Sequence, residues 1–152
     1  MPGYRGHLAF AGWLVILVLL LITTNFHVTK TAVLEWILFA LLGTVFPDSD
    51  THSMGRKITH FLLMIFLLIS LCCRNFILSV IISAIFLATK MSRHRGFFHS
   101  MNLLVLIGIL LIILTDKNPA YRQICLIDFC FFSLGYVSHI LLDRRFKKVR
   151  RL

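Results

Sequence analysis

The sequence predicts an all-α protein: a polytopic membrane helical bundle of about six transmembrane helices, with both termini in the cytoplasm. Of its 152 residues, 59% are hydrophobic and 14% are charged, and the mean hydropathy is +0.89. A soluble domain of this size cannot bury so much apolar surface. The apolar residues form separate runs long enough for membrane spans. Because repeats, linkers and low-complexity stretches are absent from the sequence, we predict a single domain over residues 1–152.

The number of spans depends on how the third apolar run is divided. The runs cover residues 8–24, 32–46, 58–89, 97–115 and 121–143. The first has no small-residue cleavage pattern after it, so we expect it to remain as a span. A single helix over 58–89 would be about 48 Å long, against a hydrocarbon core of about 30 Å. The polar break at Arg74 and Asn75 therefore predicts two helices, 58–73 and 75–89, joined by a tight turn.

The basic residues support six spans. With six, the N-terminus, the 47–57 loop, the 90–96 loop and the C-terminal tail share one side of the membrane. Twelve of the 16 Lys and Arg residues lie there and four lie on the other side. This bias follows the positive-inside rule and predicts that both termini are cytoplasmic. We therefore attribute the net charge of +10 to basic residues in the loops, where they contact anionic lipid headgroups. No nucleic-acid partner is expected.

The same predicted face collects most of the titratable residues. Of seven histidines, only His27 falls on the opposite side. The polar residues come from four separate stretches: the start of the chain, "PDSDTHS" (47–53), "SRHRGFFHS" (92–100) and "GYVSHILLD" (135–143). They are His7; Asp48, Asp50 and His52; His94, Arg95, His99 and Ser100; and His139 and Asp143.

Imidazoles and carboxylates gathered at one place are the ligands of a divalent metal centre. His139 and Asp143 are four residues apart, so one helix face presents both side chains. Pro47 ends the second span, and the short D-x-D after it can turn both carboxylates inward. His99 is expected in the first turn of the fifth span. The guanidinium of Arg95 suits a phosphate or a carboxylate instead.

Simpler explanations exist for single residues. Asp48 or Asp50 can cap a helix, and the His94 loop can serve only to contact headgroups. His52 and His60 are the weakest functional candidates. Glu35 and Asp128 lie toward the opposite face, where we expect them to be helix N-terminal acids favoured by the helix dipole. Separate explanations for each residue would leave their shared location on one face as a coincidence. One metal site explains that location more simply.

Four stretches together resemble the YdjM family of LexA-regulated inner-membrane proteins, which are classed as predicted metal-dependent hydrolases. In order they are "GHLAFAG", "LLGTVFPDSDTHS", "HRGFFHS" and "GYVSHILLD", between residues 6 and 143. The resemblance implies a bacterial inner-membrane location. It also implies a set of metal-binding and catalytic residues, which are His7, Asp48, Asp50, His94, His99, His139 and Asp143. Arg95 and Ser100 would lie beside this set. One departure is Thr51 before His52, where an apolar residue is expected.

These observations predict a hydrolase whose site opens at the cytoplasmic membrane face. One or two divalent ions, zinc first and manganese or magnesium as alternatives, would be held by His7, Asp48, Asp50, His99, His139 and Asp143. The ion would activate a water against a phosphoester or related ester of a membrane lipid. In this hypothesis Arg95 holds the anionic group, and His94 or His52 protonates the leaving group. A distant similarity to zinc-dependent phospholipase C and single-strand nucleases supports phosphoester chemistry by analogy.

Two alternatives stay open at this point. The first is a metal-independent lipid phosphatase with His139 as nucleophile, although the K-x6-R-P and P-S-G-H blocks of that class are absent from the sequence. The second is a non-enzymatic membrane protein that binds a metal ion or a regulator. An ion pathway is disfavoured because the polar residues lie on one side, whereas an ion must cross the full membrane.

Overall fold

The described part of the chain is helical throughout. A computed structural model describes residues 4–50, 54–72, 74, 76–91, 97–116 and 119–149. Its helices are α1 (Tyr4–Asn25), α2 (Lys30–Val45), α3 (Met54–Cys72), α4 (Phe76–Met91), α5 (Met101–Thr115) and α6 (Pro119–Val149). A first 3₁₀ helix (Phe46–Asp50) follows α2, and a second one (Phe97–His99) precedes α5. The all-α prediction is confirmed.

Arg74 forms the turn that divides the long third run. Its φ is 55°, in the left-handed region, and its backbone N–H donates to the carbonyl of Leu71 at 3.0 Å. A left-handed residue directly after a helix bonds back to the last turn and reverses the chain. The predicted break at Arg74 is therefore confirmed, and α3 and α4 flank it.

Helix lengths agree with a membrane protein. Three segments of the described chain are long and apolar enough to cross a membrane: Gly6–Asn25, Lys30–Ser49 and Tyr121–Arg144. Two shorter apolar helices are Ser79–Met91 and Met101–Thr115. Many large apolar side chains point outward, as expected where the surrounding solvent is lipid. The number of passes and the orientation remain predictions.

The closest helix crossing lies between α2 and α6, at two glycines. A Cβ on Gly43 would lie 2.0 Å from the Phe132 carbonyl oxygen, and a Cβ on Gly135 would lie 1.9 Å from the Ala40 carbonyl oxygen. Both distances are far below a real contact, so only glycine permits this approach. Small residues at such crossings are typical of membrane helices. The crossing brings the end of α2 beside the last turns of α6.

Apolar side chains extend this crossing to α1. Val15 and Leu19 of α1 pack with Ala40 of α2 and Phe131 of α6 in one buried cluster. The Trp36 ring stacks on Phe131, with ring centroids 5.0 Å apart. Helices α1, α2 and α6 therefore form the packed centre that supports the polar end of the bundle.

A polar link joins α3 to α4. His60 Nε2 lies 3.0 Å from the Thr89 hydroxyl, which donates to the Phe86 carbonyl at 2.7 Å. Because Thr89 donates there, His60 supplies the hydrogen that joins the two side chains. His60 therefore links α3 to α4 through Thr89.

The dipole explanation of Glu35 and Asp128 is wrong. Neither α2 nor α6 has an acidic residue in its first turn. Asp128 lies well inside α6 and is 6% exposed, and its Oδ1 has no hydrogen-bond partner within the described chain. Both acids therefore lie beyond the first helical turn, where the sequence had placed them.

Candidate metal centre

Four separate elements bring their polar residues to one end of the bundle. His7 lies in the first two turns of α1, and Asp48 lies in the first 3₁₀ helix, which follows α2. His139 and Asp143 occupy successive turns of one face of α6. His99 ends the second 3₁₀ helix, so it precedes α5 and does not lie in its first turn as expected. Ser100 is the N-cap residue of α5, which begins at Met101.

The five side chains form one continuous cluster. His7 Nε2 lies 3.3 Å from Asp143 Oδ1, and His99 Nε2 lies 3.8 Å from Asp143 Oδ2. Asp48 Oδ1 lies 3.6 Å from His139 Nε2 and 3.8 Å from His99 Nε2. Two groups of three have ligand atoms that all lie within 4.8 Å of one another. They are His7, His139 and Asp143; and Asp48, His99 and His139.

These distances fit shared coordination better than direct hydrogen bonds. An N–H···O hydrogen bond is usually 2.7–3.2 Å long. Nitrogen and oxygen ligands bound tetrahedrally to zinc at about 2.0–2.2 Å lie about 3.3–3.6 Å from one another. The four imidazole–carboxylate distances run from 3.3 to 3.8 Å. The spacing is therefore compatible with a site that could hold a metal ion.

The rings are held face to face and edge to face. His7 and His139 stack with centroids 4.0 Å apart and planes 17° apart, and His99 meets His139 edge-on at 5.6 Å and 72°. His139 is 1% exposed and His7 is 5% exposed. A small cavity of about 10 Å³ lies among His7, Thr44, Asp48 and His139. Its volume suits about one water-sized sphere.

Charge balance supports the same interpretation. Two carboxylates, Asp48 and Asp143, match the double charge of one divalent ion, while neutral imidazoles add ligands without charge. Asp143 directs one oxygen to His7 and the other to His99, so its carboxylate spans the two groups. His139 belongs to both groups. The donor set could hold a divalent ion.

The predicted site residues have four different outcomes. The structure brings together His7, Asp48, His99, His139 and Asp143. Asp50 belongs to the first 3₁₀ helix, but its side chain lies outside the described part. His52, His94 and Arg95 lie outside the described residues. Ser100 is adjacent to His99 and half-buried, and its side chain makes no capping hydrogen bond at α5.

Tyr136 is a positioning residue that sequence reasoning missed. It is fully buried, and its hydroxyl lies 2.7 Å from the Phe98 carbonyl and 2.8 Å from the Ser100 carbonyl. The hydroxyl has one hydrogen, which it can donate to either carbonyl. Both carbonyls flank His99, so the bond ties the second 3₁₀ helix to α6. Its position three residues before His139, on the same helix face, is the signal that could have found it.

Tyr136→Phe is expected to weaken metal binding without unfolding the protein. The ring stays packed, but the segment that carries His99 loses its link to α6. Residues that orient metal ligands typically change affinity by about 10–100-fold when mutated. Competition with a chromophoric zinc chelator measures the change. An unchanged affinity would show that His99 is held in place without the hydroxyl.

The chain matches a known protein family. A family model described as YdjM inner membrane protein matches residues 1–146. The chain belongs to the YdjM family. The match includes every residue of the His/Asp cluster and confirms the resemblance seen in the sequence blocks. Comparison with curated proteins and with solved structures gave no match. The YdjM assignment agrees with the apolar helices and places this fold among inner membrane proteins.

Proposed function

We propose that this YdjM-family protein is a membrane-embedded, metal-dependent hydrolase that cleaves a phosphoester or related ester bond of a lipid. The observation that supports the proposal is that His7, Asp48, His99, His139 and Asp143 form two overlapping groups of three, each of which could hold a metal ion. Burying two carboxylates and three imidazoles in an apolar bundle is costly unless something compensates them. A divalent ion supplies that compensation.

The residues of the site have different roles in the proposed reaction. A divalent ion bound here would lower the pKa of a coordinated water toward about 7 and would polarise a phosphoryl or acyl oxygen. Asp48 and Asp143 would hold the ion and balance its charge, and the three imidazoles would add neutral ligands. In the proposal, His94 or His52 donates the proton to the leaving group, and Arg95 binds the anionic part of the substrate. Ser100 lies beside His99 at the same end.

The membrane supplies the substrate class. The cluster lies at one end of apolar helices, where an ester group of a lipid would lie. The clustering of basic residues at this end supports a cytoplasmic location and attracts anionic headgroups. We therefore propose membrane lipids as substrates, with both termini cytoplasmic and six passes.

The burial of His139 weighs against a metal-independent phosphatase. A nucleophilic histidine must reach the phosphorus atom in line with the leaving group. His139 is 1% exposed, and the rings of His7 and His99 cover it. Such packing suits a metal ligand better than an attacking group.

Metal-dependent turnover tests the proposal. The purified protein is treated with a chelator, reloaded with zinc, manganese or magnesium, and assayed on phosphodiester and phospholipid substrates. Chelation should abolish turnover and one metal should restore it. Asp48→Asn should lower turnover by about 100-fold or more, because the isosteric amide removes a charged ligand. Asp116→Asn is the control, since that carboxylate is exposed and contacts Arg122 at 3.4 Å.

The results separate the alternatives. Turnover that survives chelation and Asp48→Asn contradicts the proposal and favours the metal-independent phosphatase. Bound metal without turnover on any ester substrate favours a non-enzymatic metal-binding protein.

A further inference from the structure

An apolar groove lies between α2 and α3. Its volume is about 810 Å³, within the range of about 300–1,000 Å³ that is typical of ligand sites. Side chains of α2 form one wall and side chains of α3 form the other. They include Leu34, Leu38 and Leu42 from α2, and Ile58, Leu62 and Phe66 from α3.

The groove is adjacent to the candidate metal centre. Leu8, Val45 and Ile58 line both the groove and the small cavity that touches His7, Asp48 and His139. Leu8 follows His7 in the chain, and Val45 ends α2 just before the first 3₁₀ helix. A molecule that fills the groove at this end therefore contacts side chains that also border the His/Asp cluster.

The opposite end of the groove is polar. Glu35 and Thr31 line it there, and both residues are exposed. Hydrocarbon placed against a carboxylate and a hydroxyl gains little and desolvates both groups. The ten-residue step along α2 from Glu35 to Val45 corresponds to about 15 Å. Half of a typical hydrocarbon core of about 30 Å is also about 15 Å.

We propose that this groove holds one fatty acyl chain of a glycerophospholipid whose phosphate end lies at the His/Asp cluster. The apolar length matches a chain that occupies one leaflet, and Glu35 ends the groove where that chain ends. An isoprenoid chain that spans both leaflets would have to pass Glu35 and Thr31. The inference rests on the proposed function for the role of the phosphate end, whereas occupancy of the groove does not depend on hydrolysis.

Spin-labelled phospholipid tests the occupancy directly. The protein is reconstituted in vesicles of phosphatidylethanolamine and phosphatidylglycerol that contain a trace of phosphatidylglycerol with a nitroxide on its acyl chain. Leu38→Trp places an indole in the groove and should remove the part of the immobilised spectral component that the groove contributes. Leu20→Trp is the matched control, because Leu20 and Leu38 are each 61% exposed and Leu20 does not line the groove. Leu62→Trp blocks the opposite wall and guards against misfolding of the first variant.

A chain-length series tests the link to the metal centre. Leu38→Trp should lower kcat/KM for a long-chain phospholipid by a larger factor than kcat/KM for a dihexanoyl analogue, whereas Leu20→Trp should change neither. If the wild type hydrolyses neither lipid, the proposed function fails, while the spin-label comparison still decides the groove. Equal immobilisation in wild type, Leu38→Trp and Leu62→Trp overturns the acyl-chain assignment. Stronger immobilisation of a spin-labelled polyprenyl phosphate than of the phospholipid overturns it too.

Discussion

Replacing His139 with alanine is expected to remove bound divalent metal from the purified protein, with a loss of affinity of at least about 100-fold. His139 is the one residue shared by both groups of metal-ligand side chains in the described chain. Its ring also packs between those of His7 and His99. Its removal therefore deletes a ligand and loosens two others. Elemental analysis of wild-type and variant protein measures the effect.

Two further variants make the His139 result specific. His27→Ala removes an exposed histidine near the far end of α1 and should leave metal content unchanged. His139→Gln keeps much of the side-chain volume but lacks the imidazole, so it should lose metal as the alanine variant does. Full metal content in both His139 variants would show that this cluster is not the binding site.

Gly135→Ala is expected to lower the stability of the protein strongly. The added Cβ would lie 1.9 Å from the Ala40 carbonyl oxygen and 2.9 Å from the Thr44 backbone nitrogen. Both contacts are to backbone, so α2 and α6 must separate, at a cost of about 3 kcal/mol or more. Asp48 follows α2, and His139 lies one turn beyond Gly135. The same displacement should therefore weaken metal binding.

The control for this change is Gly12→Ala. A Cβ at Gly12 meets nothing within 4 Å, and the residue lies inside α1. Alanine there should be neutral or should stabilise the protein by about 0.5–1 kcal/mol, because it lowers the entropy lost on folding. Thermal unfolding in detergent compares the two variants. If Gly135→Ala unfolds at the wild-type temperature, the α2–α6 crossing is looser than the structure indicates.

Local sequence features were sufficient to predict the helices and the end of the bundle where polar residues gather. Apolar runs set the helices, and the polar break at Arg74 set the turn between α3 and α4. Counting the spans then placed His7, Asp48, His99, His139 and Asp143 at one end. These predictions succeeded because helix length and hydropathy are properties of short segments in a lipid solvent.

Other features depend on contacts between helices that no single segment specifies. Only the fold shows that Gly43 and Gly135 form the two sides of the α2–α6 crossing, and that a Cβ on Gly135 would meet the Ala40 carbonyl oxygen. The fold likewise pairs the Tyr136 hydroxyl with carbonyls that lie 36 and 38 residues earlier. It also revealed Asp128 deep inside α6, where the sequence had suggested a helix start.

Segment hydropathy and residue order predicted a helical membrane protein whose four polar stretches gather at one end. The folded chain adds that two overlapping groups of three His and Asp side chains could hold a metal ion, and that an apolar groove lies beside them. This difference follows from the range of the forces involved. Hydropathy acts along each helix, whereas the ligand spacing depends on backbone approaches of a few ångströms between α2 and α6.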